Sequence, residues 1–476
     1  MADIALIHQT WRRWLTLDFW LCTTLMFLVE FGCAVLGAPS PRLLEIIVCQ
    51  KYYQDNGNAF IQQDCKTQEI QVRFGFVLTV ISTCSVLAAT LMQIPMGVLA
   101  DKKGLRIALT LNILGTILYW GWIPFAFLSG LPTWTIYAGP IFVFIGGGPW
   151  ASGALVFAAI NRRISAGERT PVFSIMEALS GIADLVGPAL GTLTMEHHIW
   201  LPFLLATLVF ALMFVPTVFL GEQPSHLLTK NNDIRSEAEV SGSADSETQP
   251  LLQATADTND FQRAGTTSKS FMAVIYSMTF GSFFLISLAR DSTNFLIPWI
   301  SWRFNESMAR AGLIFSLRAI VSSVVFFVLL PLASSLICNI LKADLITRDL
   351  LMSASSALLL CAGSVIIAVS STVPTLVVGF CIMTLGSGVT VSLRAFLASK
   401  VDRSLSGRFF AATSATSTIG SLLGMPLMGT LYSLSISKQA VNVSLPFATA
   451  AVAYFLVSCV IGSIQLLLYT LAPEVT

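Results

Sequence analysis

Twelve long apolar runs constrain this chain more than any other feature. Their approximate limits are 17–39, 74–100, 105–128, 135–160, 172–195, 200–220, 271–299, 310–333, 350–370, 374–399, 408–433 and 446–470. About 20 apolar residues carry a helix across ~30 Å of hydrocarbon. In lipid every backbone N–H and C=O must be satisfied within the protein, so runs this long are helices rather than strands. Charge points the same way. Only 11% of the 476 residues are charged and 55% are hydrophobic, against about 25% charged in a soluble domain. A net charge of +1 offers no footprint for nucleic acid. No cleavable leader precedes the first run. Residues 1–16 are polar and carry Trp11, Arg12, Arg13 and Trp14, so the first span is expected to serve as its own targeting signal.

The loops set the orientation. With the N-terminus in the cytosol, seventeen Lys and Arg fall on the cytoplasmic side and seven outside, leaving Arg290, Arg318 and Arg394 within spans. The opposite topology violates the positive-inside rule. Two other features agree. The acceptor triplets at Asn305 and Asn442 lie in expected outside loops and are candidate glycosylation sites. Cys49 and Cys65 share the first outside loop, where oxidising conditions permit a disulfide.

The stretch from 231 to 267 is rich in Ser, Thr, Asp, Glu and Gln and has no apolar periodicity. It cannot bury enough surface to offset its ordering entropy. The expected organisation is a bundle over 1–220, a disordered cytoplasmic linker over 221–270 and a second bundle over 271–476. The halves echo each other. Pro188-Ala189-Leu190-Gly191-Thr192-Leu193 in span 5 matches Pro426-Leu427-Met428-Gly429-Thr430-Leu431 in span 11.

Ionisable groups inside spans each cost about 2.5–3.5 kcal/mol to insert. The chain keeps Glu30 in span 1, Glu177 and Asp184 in span 5, Arg290 and Asp291 in span 7, Arg318 in span 8 and Arg394 in span 10. Such groups either pair statically or mark a pathway. In span 5, Glu177, Gly181, Asp184, Pro188 and Gly191 recur in steps of 4, 3, 4 and 3, so one helical stripe carries both carboxylates and the small residues. Span 4 contains Gly146-Gly147-Gly148-Pro149-Trp150, and span 10 contains Gly386-Ser387-Gly388. Interrupted helices in corresponding places of two halves point toward a binding site. Gly147, Trp150 and Gly386, with Glu30, Arg290 and Asp291, are therefore the candidate pathway residues, Trp150 as an aromatic wall.

The turn Gly97-x-Leu99-Ala100-Asp101-x-x-Gly104-x-Arg106 between spans 2 and 3 resembles the helix 2–3 loop of the major facilitator superfamily. Gly181-x-x-Asp184-x-x-Gly187-Pro188-x-x-Gly191 is similar to the antiporter signature in span 5 of its drug-exporting members. It departs from that signature at Ala183 and at Thr192. The stretch Pro41-Arg42-Leu43-Leu44-Glu45 with Cys49, Tyr52 and Tyr53 resembles fungal members of broad or unassigned specificity. The resemblance implies an all-α membrane fold of twelve helices in two pseudo-symmetric bundles that rock about a central site. It implies that Glu30 lies near Arg290, Asp184 near Arg318, and Glu177 and Arg394 at an inner gate. It further implies that Asp101 and Arg106 tie spans 2 and 3 to the neighbouring half. Span 4 lacks the buried arginine of the proton antiporters; its first arginine is Arg162.

The expected activity is secondary transport of a small organic compound. Efflux of a xenobiotic or secondary metabolite is the first reading, with protons as the coupling ion. An uptake permease and a non-transporting sensor are the alternatives. No phosphate-binding loop, nucleophile–base set or metal cluster stands out, so no enzyme activity, cofactor or metal is expected. The chain is expected to be a monomer in the lipid bilayer, in the plasma membrane or else a vacuolar or endosomal one.

Overall fold

The computed structural model describes residues 17–57, 65–161, 169–220, 258–329, 345–400, 406–437 and 443–471, with isolated positions between 332 and 339. Among these, nine helical stretches are long and apolar enough to cross a membrane. They coincide with nine of the twelve expected runs. The other three runs are also helical. Span 4 is a 3-10 turn over Thr133–Phe142 followed by helices Val143–Gly146 and Gly148–Asn161; span 5 is Arg169–His197; span 8 is Met308–Val324, running into a π-turn over Val325–Leu329. The remaining spans are 1 (Leu17–Val35), 2 (Gln68–Lys102), 3 (Leu105–Leu128), 6 (Leu201–Leu212 and Phe214–Phe219), 7 (Thr258–Arg290, Asp291–Phe295 and Leu296–Arg303), 9 (Leu345–Val369), 10 (Val373–Leu385, Gly386–Gly388 and Val389–Lys400), 11 (Ser406–Ser437) and 12 (Leu445–Leu471).

Two sequence expectations shift. The expected linker runs to residue 270, but the helix of span 7 already begins at Thr258; residues 221–257 lie outside the described ones. The first outside loop is not all loop. Pro39–Asp55 forms a helix whose inner face buries Leu43, Leu44, Ile47, Val48 and Cys49. Pro39 starts it, where a missing N–H costs nothing and the fixed φ suits the helix. Its polar positions hide it from a reading by apolar length.

Packing repeats between the halves. Span 5 lies on span 1 of its own half and on span 8 of the other; span 11 lies on span 7 and on span 2 in the same way. In each half a glycine of the repeated sextet lies at one of these contacts. A Cβ on Gly191 would sit 2.0 Å from the Val35 carbonyl, so span 1 touches bare span 5 backbone. A Cβ on Gly429 would sit 1.8 Å from Thr79 Oγ1, so span 2 touches bare span 11 backbone. Small residues permit such approach where lipid supplies no hydrophobic drive between helices.

The two halves meet at one end. Gly75 faces the Tyr432 ring at 2.7 Å from its would-be Cβ, and Gly312 faces Thr192 Cγ2 at 2.4 Å and Ala38 Cβ at 2.8 Å. Gln68 Nε2 donates to the Ser437 carbonyl at 2.7 Å. All of these lie toward the end that carries the first interspan loop, the outer end by the charge rule. In this arrangement the outer side of the molecule is closed.

Candidate functional site

Midway along the spans a polar layer crosses both halves. In the first half, Cys33 interacts with Glu30, Asp184 and the Trp120 side chain. Asp184 interacts electrostatically with Arg318 across the seam, and the Arg318 guanidinium lies 5.8 Å over the Phe315 ring. In the second half, buried Tyr454 interacts with Arg318, Arg290 and Asp291 together. The structure thus brings Asp184 and Arg318 together, as the resemblance implies. It groups Glu30 with Cys33 and Asp184, and Arg290 with Tyr454. Asp184, Arg290 and Arg318 are exposed. Charged groups at this depth face the bundle interior or a water-filled cavity rather than lipid.

Span 7 breaks within this layer. Its α-helix ends at Arg290 and a 3-10 turn begins at Asp291. Asp291 is 6% exposed. Its Oδ1 accepts from Ser421 Oγ at 3.3 Å, and Ser421 Oγ lies 3.0 Å from Ser287 Oγ. Arg290 Nη2 donates to Ser287 Oγ at 3.4 Å. Oδ2 has no hydrogen-bond partner among the described residues. Gly424 makes room for it: a Cβ there would sit 2.7 Å from Oδ2.

Span 4 breaks at the glycines the sequence singles out. Gly147 and Gly148 have φ of +79° and +57°, a region nearly closed to other residues. Asn112 Nδ2 donates to the Gly146 carbonyl before the break and the Gly148 carbonyl after it, at 2.8 and 2.7 Å, and Ser152 Oγ donates to Asn112 Oδ1 at 2.6 Å. One side chain from span 3 therefore braces both sides of the break. The break places Trp150, 42% exposed, edge-on to Tyr119 at 5.7 Å between centroids. Span 10 breaks at the expected Gly386–Gly388, where buried Gly386 packs against the span 9 backbone at the Ser356 carbonyl.

In the span 2–3 turn, Gly104 takes φ +97°, which explains its place in the motif. Arg106 Nε donates to the Leu220 carbonyl at 2.5 Å. The expected tie to the neighbouring half is, in this arrangement, a tie to span 6 of the same half. Gly97 has open space around it. The side chains of Asp101 and Glu177 lie outside the described residues, and Arg394 is exposed. In span 5, Gly181 is unobstructed, Gly187 packs on Ala34, and Pro188 is buried.

At the outer end Cys49 and Cys65 form the disulfide, with Cα atoms 5.4 Å apart. Beside it Glu45 is fully buried and accepts from Arg42, from Lys66 Nζ at 2.8 Å and from Gln71 Nε2 at 2.6 Å. Burial pushes the Lys66 pKa down, and the Glu45 carboxylate pushes it part of the way back. The sequence reading quotes Glu45 only as part of a family-like stretch and passes over Lys66, Gln71 and Asn112. A lone carboxylate in a helix with a buried face, and a lone amide in an apolar run, are the signals that mark them. Asn305 is exposed at φ +53°, while Asn442 lies outside the described residues. Among the described residues no group of His, Cys, Asp or Glu is arranged to hold a metal.

The comparisons agree with this architecture. Residues 59–322 match the model of the Major Facilitator Superfamily, and the chain belongs to it. It is a multi-pass secondary transporter of the membrane, not an enzyme. It is 27% identical over 448 residues to the MFS efflux pump atnC of Emericella nidulans, covering 90% of this chain and 84% of that one. It is 23% identical over 437 residues to the efflux pump ustT of Aspergillus flavus, covering 88% and 83%. Among solved structures, a D-xylose–proton symporter superposes over 93% of this chain and 96% of its own at TM-score 0.59 and 13% identity, a likeness of fold alone.

Proposed function

We propose that this transporter expels a small apolar or amphipathic organic compound, a xenobiotic or secondary metabolite, from the cell. The carrying observation is similarity along nearly the whole chain to fungal efflux pumps. The side chains at mid-depth are consistent with it: Trp150, Tyr119 and Trp120 form an aromatic cluster, and the ionic groups carry both signs. A carrier of highly charged metabolites would present one sign in excess. The plasma membrane fits such a role, and a disulfide at the outer end fits an oxidising exterior.

Protons are the coupling ion in this reading, and Asp291 rather than Glu30 is the better carrier. An ionised carboxylate with one buried, unpartnered oxygen is costly; a proton on that oxygen removes the bare charge. Ser421 and Ser287 connect the carboxyl to Arg290, whose movement would alter the cost again.

Two measurements test the proposal. Cells lacking the chain should accumulate its compound, seen by untargeted comparison of retained metabolites; depletion instead would support uptake. Asp291→Asn should keep substrate exchange at equal pH and lose at least about tenfold of the transport driven by an inward proton gradient, while Glu30→Gln keeps most of it. Gradient-driven transport unchanged in Asp291→Asn would remove Asp291 from the coupling.

A further inference from the structure

The polar cluster at the outer end takes no part in the pathway above, yet it bridges the halves. Glu45, on the helix after span 1, gathers Arg42, Lys66 and Gln71. The Lys66 ammonium also donates to Ser301 Oγ, in the last turns of span 7. Ser301 passes its own hydrogen to the Glu306 carbonyl at 2.8 Å, leaving the hydroxyl oxygen to accept from Lys66. Glu45 and Lys66 belong to the first half and Ser301 to the second. All three are mostly or wholly removed from solvent: Glu45 and Ser301 are 0% exposed, and the Lys66 side chain is 23% exposed.

The covalent frame fixes donor and acceptor together. Cys49 lies one helical turn after Glu45, and Cys65 immediately precedes Lys66, so the disulfide clamps the lysine's turn to the carboxylate's helix. Gln71 adds a bond to the Cys65 carbonyl at 2.9 Å.

We propose that Lys66 is the bolt of an outer latch: seated on Glu45 and held in place by the Cys49–Cys65 bridge, it reaches across the seam to Ser301 and holds the outer gate shut. When the halves rock and the outer side opens, Ser301 leaves while Lys66 stays with Glu45. The bond that breaks is charge-assisted and water-poor, the kind that weighs most. A carboxylate placed only to pair a surface lysine would not be buried, and a disulfide placed only to tie down the loop would not need Lys66 at its edge. The inference rests on the alternating-access reading of the fold.

The test is hydrogen exchange by mass spectrometry on the full chain in lipid nanodiscs. Ser301→Ala should shift the population about tenfold toward the outward-open state, the weight of one charge-assisted hydrogen bond. Exchange should quicken over 68–79 and 429–437 and slow at the cytoplasmic ends of spans 10 and 11. Ser301→Thr, which keeps the hydroxyl, should behave as the parent. Reducing the disulfide should act in the same direction and add nothing to Ser301→Ala. Ser301→Ala that leaves both ends unchanged, or loosens both together, overturns the latch. Gly429→Ala separates that failure from failure of alternating access itself. If it drives the two ends in opposite directions while Ser301→Ala does not, the latch alone falls. If neither variant moves the ends oppositely, the rocking mechanism falls.

Discussion

Gly429→Ala is expected to hold the protein open on its outer side and cut transport at least about tenfold. The added methyl would lie 1.8 Å from Thr79 Oγ1, 2.5 Å from its Cγ2 and 2.6 Å from its Cβ. Rotating the threonine cannot relieve the last of these, so spans 2 and 11 must move apart. Overpacking of this kind costs about 1–3 kcal/mol. Here the cost falls on one conformation, since the contact joins the two halves, so it appears as a displaced equilibrium rather than as unfolding. Gly312→Ala should act likewise through Thr192 and Ala38. Substrate flux in vesicles, with accessibility of the outer seam to a water-soluble reagent, reads both effects. Thr79→Ala should return part of the flux to Gly429→Ala, because it removes two of the three close atoms. Full flux in Gly429→Ala would show that this seam need not close during the cycle. Gly191→Ala, by contrast, forces a methyl against the Val35 carbonyl at 2.0 Å within one half, and should lower yield and thermal stability instead.

Asn112→Leu should be the most destabilising single change in the first half. It leaves the Gly146 carbonyl without its side-chain partner and takes one hydrogen bond each from the Gly148 carbonyl and the Ser152 hydroxyl, which lie 3.5 Å from one another. Each buried polar group left unpaired costs about 1–3 kcal/mol. The loss is on the order of 2 kcal/mol or more, enough to lower the unfolding midpoint by several degrees in detergent. Asn112→Asp should be nearly as harmful, since a carboxylate cannot donate to the two carbonyls. A thermal shift near zero for Asn112→Leu would mean that span 4 heals its break without help.

These two residues show what the sequence discloses and what it does not. Span positions followed from apolar length alone, because lipid leaves a backbone so few options. Gly104 and the breaks in spans 4 and 10 were also legible, since glycine clusters there serve conformations that other residues resist. Gly429 was visible as part of a repeated sextet, but not its partner. That contact depends on how two distant helices lie, which no local pattern encodes. The same holds for Asp184 with Arg318, whose electrostatic interaction no local pattern encodes. The helix over Pro39–Asp55 escaped notice because half its surface is polar and its buried face packs on protein. The expected tie of Arg106 to the other half met a different partner, the Leu220 carbonyl. A sequence is silent on which of several working shapes is populated.

The contact between the halves has a mechanical corollary. Where they touch, glycine backbone, threonine methyls and a tyrosine ring meet beside Val72, Leu78 and Met195, which pack against the second half's core, and Met308, which packs into the first half's. Such a joint fits closely and hides oily side chains, so parting it wets carbon atoms that the opposite end must cover in exchange. The two end-points of the cycle can then balance only if closing at the inner end repays what opening at the outer end exposes. The thickness of the surrounding bilayer, or a single bound cargo molecule, is weight enough to tip the balance.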